Sequence, residues 1–80
     1  MSPEKLVYMA NQIGRFFAHE AEAKAIADTA DHLKKFWDPR MRRAILDHVD
    51  SGGEGLEPLV RSAVLSLRAP APAQGAAESR

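Results

Sequence analysis

The chain has 80 residues, of which eleven are basic and eleven acidic, so its formal net charge is zero. This length suits one small domain, and the balanced charge gives no general attraction to nucleic acid or to an anionic membrane. Cysteine is absent, which excludes disulfides, thiolate zinc sites, iron–sulfur ligation and a cysteine nucleophile. The opening MSPEKLVYMANQ fits neither a signal peptide nor a transmembrane segment, so we expect a cytoplasmic protein without a membrane partner.

The first predicted helix begins at Ser2 and Pro3, which suit the N-cap and the first helical position. Its apolar positions recur every three or four residues: Leu6, Met9, Ile13, Phe16 and Phe17, widened by Val7, Ala10 and Gly14. Glycine lowers helix propensity by about 1 kcal/mol relative to alanine, so Gly14 predicts the close approach of another backbone.

The second and third predicted helices are separated by a sharp corner at Asp38 and Pro39. The second covers residues 22–36, with an apolar stripe at Ala23, Ile26, Ala30, Leu33 and Trp37. Asp38 and Pro39 then act as N-cap and first helical residue of the third helix. That helix has its stripe at Met41, Ala44, Ile45, His48 and Val49, and it ends at DSGGEG, where Gly52 can adopt the left-handed C-cap conformation.

The fourth predicted helix starts at Pro58 and has the most regular period, with Leu56, Leu59, Val60, Ala63, Val64 and Leu67. No long segment alternates with period two, so the sequence predicts an all-α fold, a small bundle of about four short helices. After Arg68 the composition changes to APAPAQGAAESR, which is typical of an extended, disordered tail. We therefore expect a helical domain over residues 1–68 and a disordered Ala/Pro-rich tail over residues 69–80.

The sequence offers little catalytic chemistry. His19, His32 and His48 stand far apart, and the HEAEA segment lacks the second histidine of a zinc-protease motif. The serines have no base placed to activate them, and SGGEG lacks the lysine and the preceding strand of a phosphate-binding loop. We expect His32 to lie on a solvated polar face and His48 to be a buried, hydrogen-bonded structural residue. The chain is therefore predicted to have no catalytic, cofactor-binding or metal-binding residue of its own.

Two pairs of adjacent aromatic residues, Phe16–Phe17 and Phe36–Trp37, indicate a surface for a partner. Neighbours on a helix point about 100° apart, so a small bundle has difficulty burying both members of a pair. We expect one member of each pair to contact a partner, with Trp37 or Phe36 as the anchor in an apolar pocket.

The segment KKFWDPRMRR, residues 34–43, is strongly basic. Lys34 and Lys35 end the second helix, where they complement its dipole, but Arg40, Arg42 and Arg43 lie at the start of the third helix, which repels positive charge. One interpretation is a solvated basic face. The other is a site for an anion or for a partner's carboxylates, next to the free N–H groups of that helix end. On either interpretation, reversing the three arginines to glutamate is expected to leave the fold intact.

Three segments, EKLVYMANQIGRFFAHE, ADHLKKFWDPRMRRAILDHV and GGEGLEPLVRSAV, resemble the delta subunit of soluble, molybdenum-containing, NAD-dependent formate dehydrogenases. The resemblance covers roughly residues 3–67, and MANQIG and FWDPRMR are its most specific parts. It implies a complex in which an alpha subunit oxidises formate at a molybdenum bis-pterin centre. Electrons then cross iron–sulfur clusters to FMN in a beta subunit, which reduces NAD, and a gamma subunit holds a further cluster.

The resemblance implies that the delta subunit is an accessory, non-catalytic member of this oxidoreductase. It is associated with assembly or stability of the complex and with maturation of the molybdenum cofactor in the alpha subunit, its expected partner. The alternative is a freestanding helical nucleic-acid-binding or regulatory module that uses the third helix for recognition. Five basic residues in a chain with no excess positive charge bind a nucleic-acid phosphate backbone weakly, so we expect no nucleic-acid partner.

Overall fold

The structure is a computed structural model that describes residues 2–68 and consists of four α-helices. These are α1 (Pro3–Phe17), α2 (Glu22–Phe36), α3 (Pro39–Asp50) and α4 (Pro58–Ser66). The predicted all-α fold and its four helices are confirmed. The predicted disorder of residues 69–80 lies outside the described residues.

The helix ends follow the capping signals in the sequence. Ser2 Oγ accepts a hydrogen bond from the Lys5 N–H at 3.3 Å, and Asp38 Oδ1 accepts one from the Met41 N–H at 2.9 Å. Helix α3 ends in a Schellman motif, in which the Gly53 N–H donates to the His48 carbonyl at 2.9 Å and the Gly52 N–H to Val49 at 3.0 Å. Both glycines have positive φ angles, 119° for Gly52 and 65° for Gly53, which explains glycine at this turn.

The core lies where all four helices meet. Helix α1 packs on α2, α3 and α4, while α4 also packs on α2 and α3. Trp37, directly after α2, is only 5% exposed and belongs to this core. The other buried apolar side chains are Leu6, Val7, Ala10, Ala25, Ala30, Leu33, Ile45, Val49, Val60, Ala63 and Val64.

Three positions of the predicted stripes are exposed: Phe16, Ala23 and Ala44. On α2 the helix is rotated so that Ala25 and Thr29 are buried instead. Alanine and threonine carry a weak hydrophobic signal, but their small size allows close helix packing. The periodicity of the large residues therefore located the buried face only approximately.

Gly14 permits close packing between α1 and α4, as predicted, but the neighbour is a side chain rather than a backbone. A Cβ atom on Gly14 would overlap the Cγ2 methyl group of Val60 and lie 3.5 Å from Leu59 Cδ2. Gly14 and Val60 are both buried. Glycine at this position is explained by the space that Val60 occupies.

The first testable prediction separates the adjacent aromatics Trp37 and Phe36. Trp37→Ala is expected to lower the free energy of unfolding by about 3–5 kcal/mol, because it empties the centre of the core. That is comparable to the total stability of about 3–5 kcal/mol typical of so small a core, so the variant should be largely unfolded. Thermal unfolding followed by circular dichroism measures the change.

Phe36→Ala is the matched control, since Phe36 is 71% exposed. It is expected to change the free energy of unfolding by less than about 0.5–1 kcal/mol. Equal losses in the two variants would contradict the assignment of Trp37 to the core.

Candidate partner-binding surface

Four rings form a continuous surface feature across α1 and α2, which we call the aromatic ridge: Phe16, Phe17, His32 and Phe36. The Phe16 and Phe17 rings pack edge to face with centroids 5.0 Å apart. Phe17 and His32 have centroids 6.4 Å apart, and His32 and Phe36 are 4.6 Å apart. Phe16 and Phe36, at the two ends of the ridge, are 72% and 71% exposed. Large phenyl rings left in water at this level are typical of a binding surface.

The structure distinguishes the two members of each aromatic pair. Phe16 is exposed while Phe17 is half-buried, and Phe36 is exposed while Trp37 is buried. Trp37 is therefore not accessible to a partner in this conformation, because its indole fills the core. Of Trp37 and Phe36, the two residues predicted as the anchor, Phe36 is the one that is exposed at the surface. Whether these residues bind a partner stays a prediction.

Sequence reasoning missed His32 as a member of the ridge and placed it on a solvated polar face. The signal was available, because His32 and Phe36 are four residues apart and so lie on the same helix face. The contact with Phe17 depends on how α1 packs against α2, which the sequence of either helix does not specify. The half-buried imidazole fills the gap between two phenyl rings from different helices.

Charged side chains beside the ridge pair with one another. Asp28, Asp31 and Lys35 line the same groove as Phe17, His32 and Phe36. Lys35 Nζ lies 3.0 Å from Asp31 Oδ2, and Lys24 Nζ lies 3.1 Å from Asp28 Oδ2. Since opposite charges are matched locally, the ridge presents apolar area without a strong net charge.

Glu20 and Asp28 form a carboxyl pair at this end of the bundle. Glu20 Oε1 is shielded from solvent and accepts no hydrogen bond from an N–H or hydroxyl donor within residues 2–68. A hydrogen bond shared with the Asp28 carboxyl, together with desolvation, raises the pKa of Glu20. Hydrogen bonds from Lys24 and then Glu20 lower the pKa of Asp28. Of the two carboxyl groups, Glu20 is therefore the one whose protonated form is favoured.

Arg42 explains part of the basic segment. Its Nη1 donates to the Lys34 carbonyl at 3.1 Å and also to the Trp37 carbonyl. These carbonyl groups belong to the C-terminal end of α2, which carries partial negative charge and favours a cation. The unfavourable position of Arg42 at the start of α3 is thus compensated by the end of α2.

The start of α3 offers little room for an external anion. The Asp38 carboxylate already accepts from Met41, the Asp38 carbonyl accepts from the Arg42 N–H at 3.1 Å, and Pro39 has no N–H. Of the N–H groups in the first turn of α3, at most that of Arg40 remains available to bind an external anion. The predicted anion site on free N–H groups is therefore largely occupied by Asp38.

The three arginines do not form one site. Arg42 faces α2, whereas Arg40 lines a cavity with Leu6, Asp38, Met41 and Ala44. Arg43 lines a groove with Lys34, Pro39, Leu46 and Leu67, and the Arg42 side chain also lines this groove. We therefore expect that reversing Arg42 to glutamate lowers the stability of the fold. Reversal of Arg40 and Arg43 is still expected to leave the fold intact.

The segment between α3 and α4 is held to α1 by side chains of the MANQIG region. Asn11 donates to the Gly55 carbonyl at 2.9 Å and accepts from the Glu57 N–H at 3.1 Å. Arg15 Nε donates to Glu57 Oε2 at 3.0 Å, and this bond raises the pKa of Arg15. His48 is half-buried, and its Nε2 lies 2.8 Å from the Glu54 carbonyl oxygen, so its predicted structural hydrogen bond is confirmed.

Within residues 2–68, no group of three or more histidine, aspartate or glutamate side chains is placed to hold a metal ion. None of the four described helices combines the length and the apolar composition needed to cross a bilayer.

Comparison with protein families gives a clear result. Residues 5–64 match the model of the family described as NADH-dependent formate dehydrogenase delta subunit FdsD. The match covers most of the chain, which belongs to this family. Comparisons with curated proteins and with solved structures found no match.

The second testable prediction concerns Arg42, with Arg43 as its matched control one residue away. Arg42→Ala is expected to lower the free energy of unfolding by about 1–3 kcal/mol, because it removes charge-assisted hydrogen bonds from the end of α2. Arg43→Ala, at an exposed position, should change it by less than about 0.5 kcal/mol. Urea unfolding of both variants measures the difference. A fully stable Arg42→Ala protein would show that the capping bonds are dispensable.

The third prediction concerns the pH dependence that Glu20 produces. The folded chain holds the Glu20 proton more tightly than the unfolded chain does. The resulting stabilisation is complete below the ordinary pKa of 4.5 and is lost as the pH rises through the raised pKa. Glutamine has no proton to lose, and its amide can donate to Asp28. Glu20→Gln should therefore raise the melting temperature above wild type by an amount that grows between about pH 4 and pH 7.

The lowered pKa of Asp28 acts in the opposite direction but only below its ordinary value of 3.8, outside this range. Glu22→Gln, an exposed change two residues along the chain at the start of α2, is the control for the loss of one carboxylate. Melting curves at several pH values test both variants. A constant difference for Glu20→Gln would argue against a shared proton.

Proposed function

We propose that this delta subunit is a non-catalytic member of a cytoplasmic NAD-dependent formate dehydrogenase that binds the alpha subunit through the aromatic ridge. In this role it supports assembly and stability of the complex and maturation of the molybdenum cofactor in the alpha subunit. The observation that carries the proposal is the pair of phenylalanines, Phe16 and Phe36, left more than two-thirds exposed on one ridge.

The ridge suits a protein partner for physical reasons. Burying a phenylalanine side chain that water now covers contributes about 1.5–3 kcal/mol, so two such rings provide a strong apolar anchor. The rings touch Phe17 and His32, so their positions are partly fixed before binding. A surface that is ordered in advance loses less conformational entropy when a partner binds.

The residues of this chain do not fit the cofactors of the enzyme. Iron–sulfur clusters need thiolate ligands, and the sequence has no cysteine. The described residues form no metal-binding cluster, and the three histidines lie in different parts of the bundle. We therefore assign the molybdenum bis-pterin centre, the clusters, FMN and the NAD site to the other subunits.

The alternative, a freestanding nucleic-acid-binding module, loses support from the charges of α3. Arg42 is engaged with carbonyl groups of α2, so helix α3 presents only Arg40 and Arg43 as exposed arginines. Membership of the formate dehydrogenase family favours a protein partner. Salt-dependent DNA binding by the purified chain would support the nucleic-acid-binding alternative instead.

The fourth prediction tests the role by co-expression. The alpha, beta and gamma subunits are produced with wild-type chain, with a Phe16→Ser/Phe36→Ser variant, or without the delta subunit. The double variant should fold but be lost from the complex, because its ridge has no apolar anchor. Formate:NAD activity and molybdenum content per alpha subunit should fall together in that preparation and in the one without the delta subunit.

The matched control is Tyr8→Ser/Leu65→Ser, which removes the other two large apolar side chains that are exposed within residues 2–68. This variant should stay in the complex and preserve its molybdenum content. If enzyme without the delta subunit were fully loaded with molybdenum but inactive, a direct catalytic role would replace the accessory one. Full retention of the ridge variant would show that the partner binds elsewhere.

A further inference from the structure

A second surface feature lies at the corner of α2, α3 and α4, and we call it the basic groove. It is lined by Lys34, Pro39, Arg42, Arg43, Leu46 and Leu67. Leu46 and Leu67 are half-buried and pack against the core, so they form an apolar floor. Lys34 and Arg43 are exposed and provide a cationic rim.

No carboxylate neutralises the rim charges within residues 2–68, a property that they share with Lys5, Arg40, Arg42 and Arg61. Arg15, Lys24, Lys35 and Arg68 each form an ion pair with a nearby carboxylate. Lys34 and Arg43 make no such pair in the described part of the chain. Two unneutralised cations beside an apolar floor create local positive potential where an anionic, partly apolar group can be buried.

The basic groove and the aromatic ridge lie on opposite sides of α2. Lys34 follows His32 by two residues, which corresponds to about 200° around a helix. One rigid partner surface therefore cannot cover both features by lying flat against one side of α2. A partner segment in the groove would therefore differ from the surface proposed to cover the ridge.

We propose that the basic groove binds an acidic segment of another formate dehydrogenase subunit, with carboxylates on Lys34 and Arg43 and an apolar side chain on Leu46 and Leu67. This inference rests on the proposed function, since it takes the partner from the same complex. With the ridge on one side of α2 and the groove on the other, the delta subunit holds two segments of the complex at once. Engagement of both sites raises the overall affinity above that of either site.

Other occupants fit the groove less well. Residues 69–80 contain one acidic residue, Glu78, balanced by Arg80, so their side chains carry no net negative charge, and they contain no large apolar residue for the floor of the groove. A nucleic acid would meet only three cations here, Lys34, Arg42 and Arg43, too few for effective phosphate binding. An acidic protein segment matches the rim and the floor together.

The test uses the full chain co-expressed with the alpha, beta and gamma subunits. In the Lys34→Glu/Arg43→Glu variant, each change replaces one positive by one negative charge and leaves the Arg42 cap intact. Lys5→Glu/Arg61→Glu is the control with the same change in net charge at two exposed cations outside the groove and outside the predicted partner-binding residues. Retention of each variant on the affinity-purified alpha subunit is measured across a salt series.

The groove variant is expected to bind about tenfold more weakly than wild type at low salt and to lose the salt dependence. The control should stay within about twofold of wild type. Carbodiimide, which joins an amine to a nearby carboxylate, should link Lys34 to an aspartate or glutamate of another subunit in the wild-type complex. Isotope labelling of the delta chain identifies links between two copies of it.

The groove proposal is overturned if the groove variant binds like wild type or if the control is weakened equally. It is also overturned if Lys34 links only to Glu78 or to a second delta chain, or if binding disappears on nuclease treatment. Failure of the wild-type chain itself to co-purify would instead contradict the proposed function. The two failures are therefore distinguishable.

Discussion

The corner between α2 and α3 is the constraint on which the rest of the structure depends. Asp38 caps α3, while Arg42 reaches back from α3 to the carbonyl groups at the end of α2. The end of one helix thus stabilises the start of the next, through opposite partial charges. Between these contacts the chain inserts Trp37 into the core and leaves Phe36 in solvent. One short segment therefore contributes both to the fold and to the candidate binding surface.

Much of this arrangement could be predicted from the sequence. Capping residues are local signals, so Ser2, Asp38-Pro39 and the glycines after α3 located the helix ends well. The regular apolar period of α4 likewise identified its buried face. Local chemistry determines these features, and no knowledge of the neighbouring helices is needed.

The remaining features depend on tertiary contacts. The charge of Arg42 can be read from the sequence, but its partner, a set of backbone carbonyls on another helix, cannot. The same limit applies to His32, whose place between two phenyl rings requires α1 and α2 to pack in one particular register. Buried Ala25 and Thr29 were missed because small side chains give a weak hydrophobic period while permitting close packing. Sequence patterns thus identified the residue types of the surface but not their grouping.

The small size of the domain connects its fold to its place in a complex. Its core consists largely of alanine, valine and a few larger side chains, while two phenylalanines remain in solvent. A partner that binds only the folded chain adds stability that increases with its concentration relative to the dissociation constant. Residues such as Phe16 and Phe36, which stabilise the free subunit little, can therefore stabilise the assembled one. In the proposed function, folding and assembly are coupled, because the apolar area that the core leaves exposed is the area that the partner would cover.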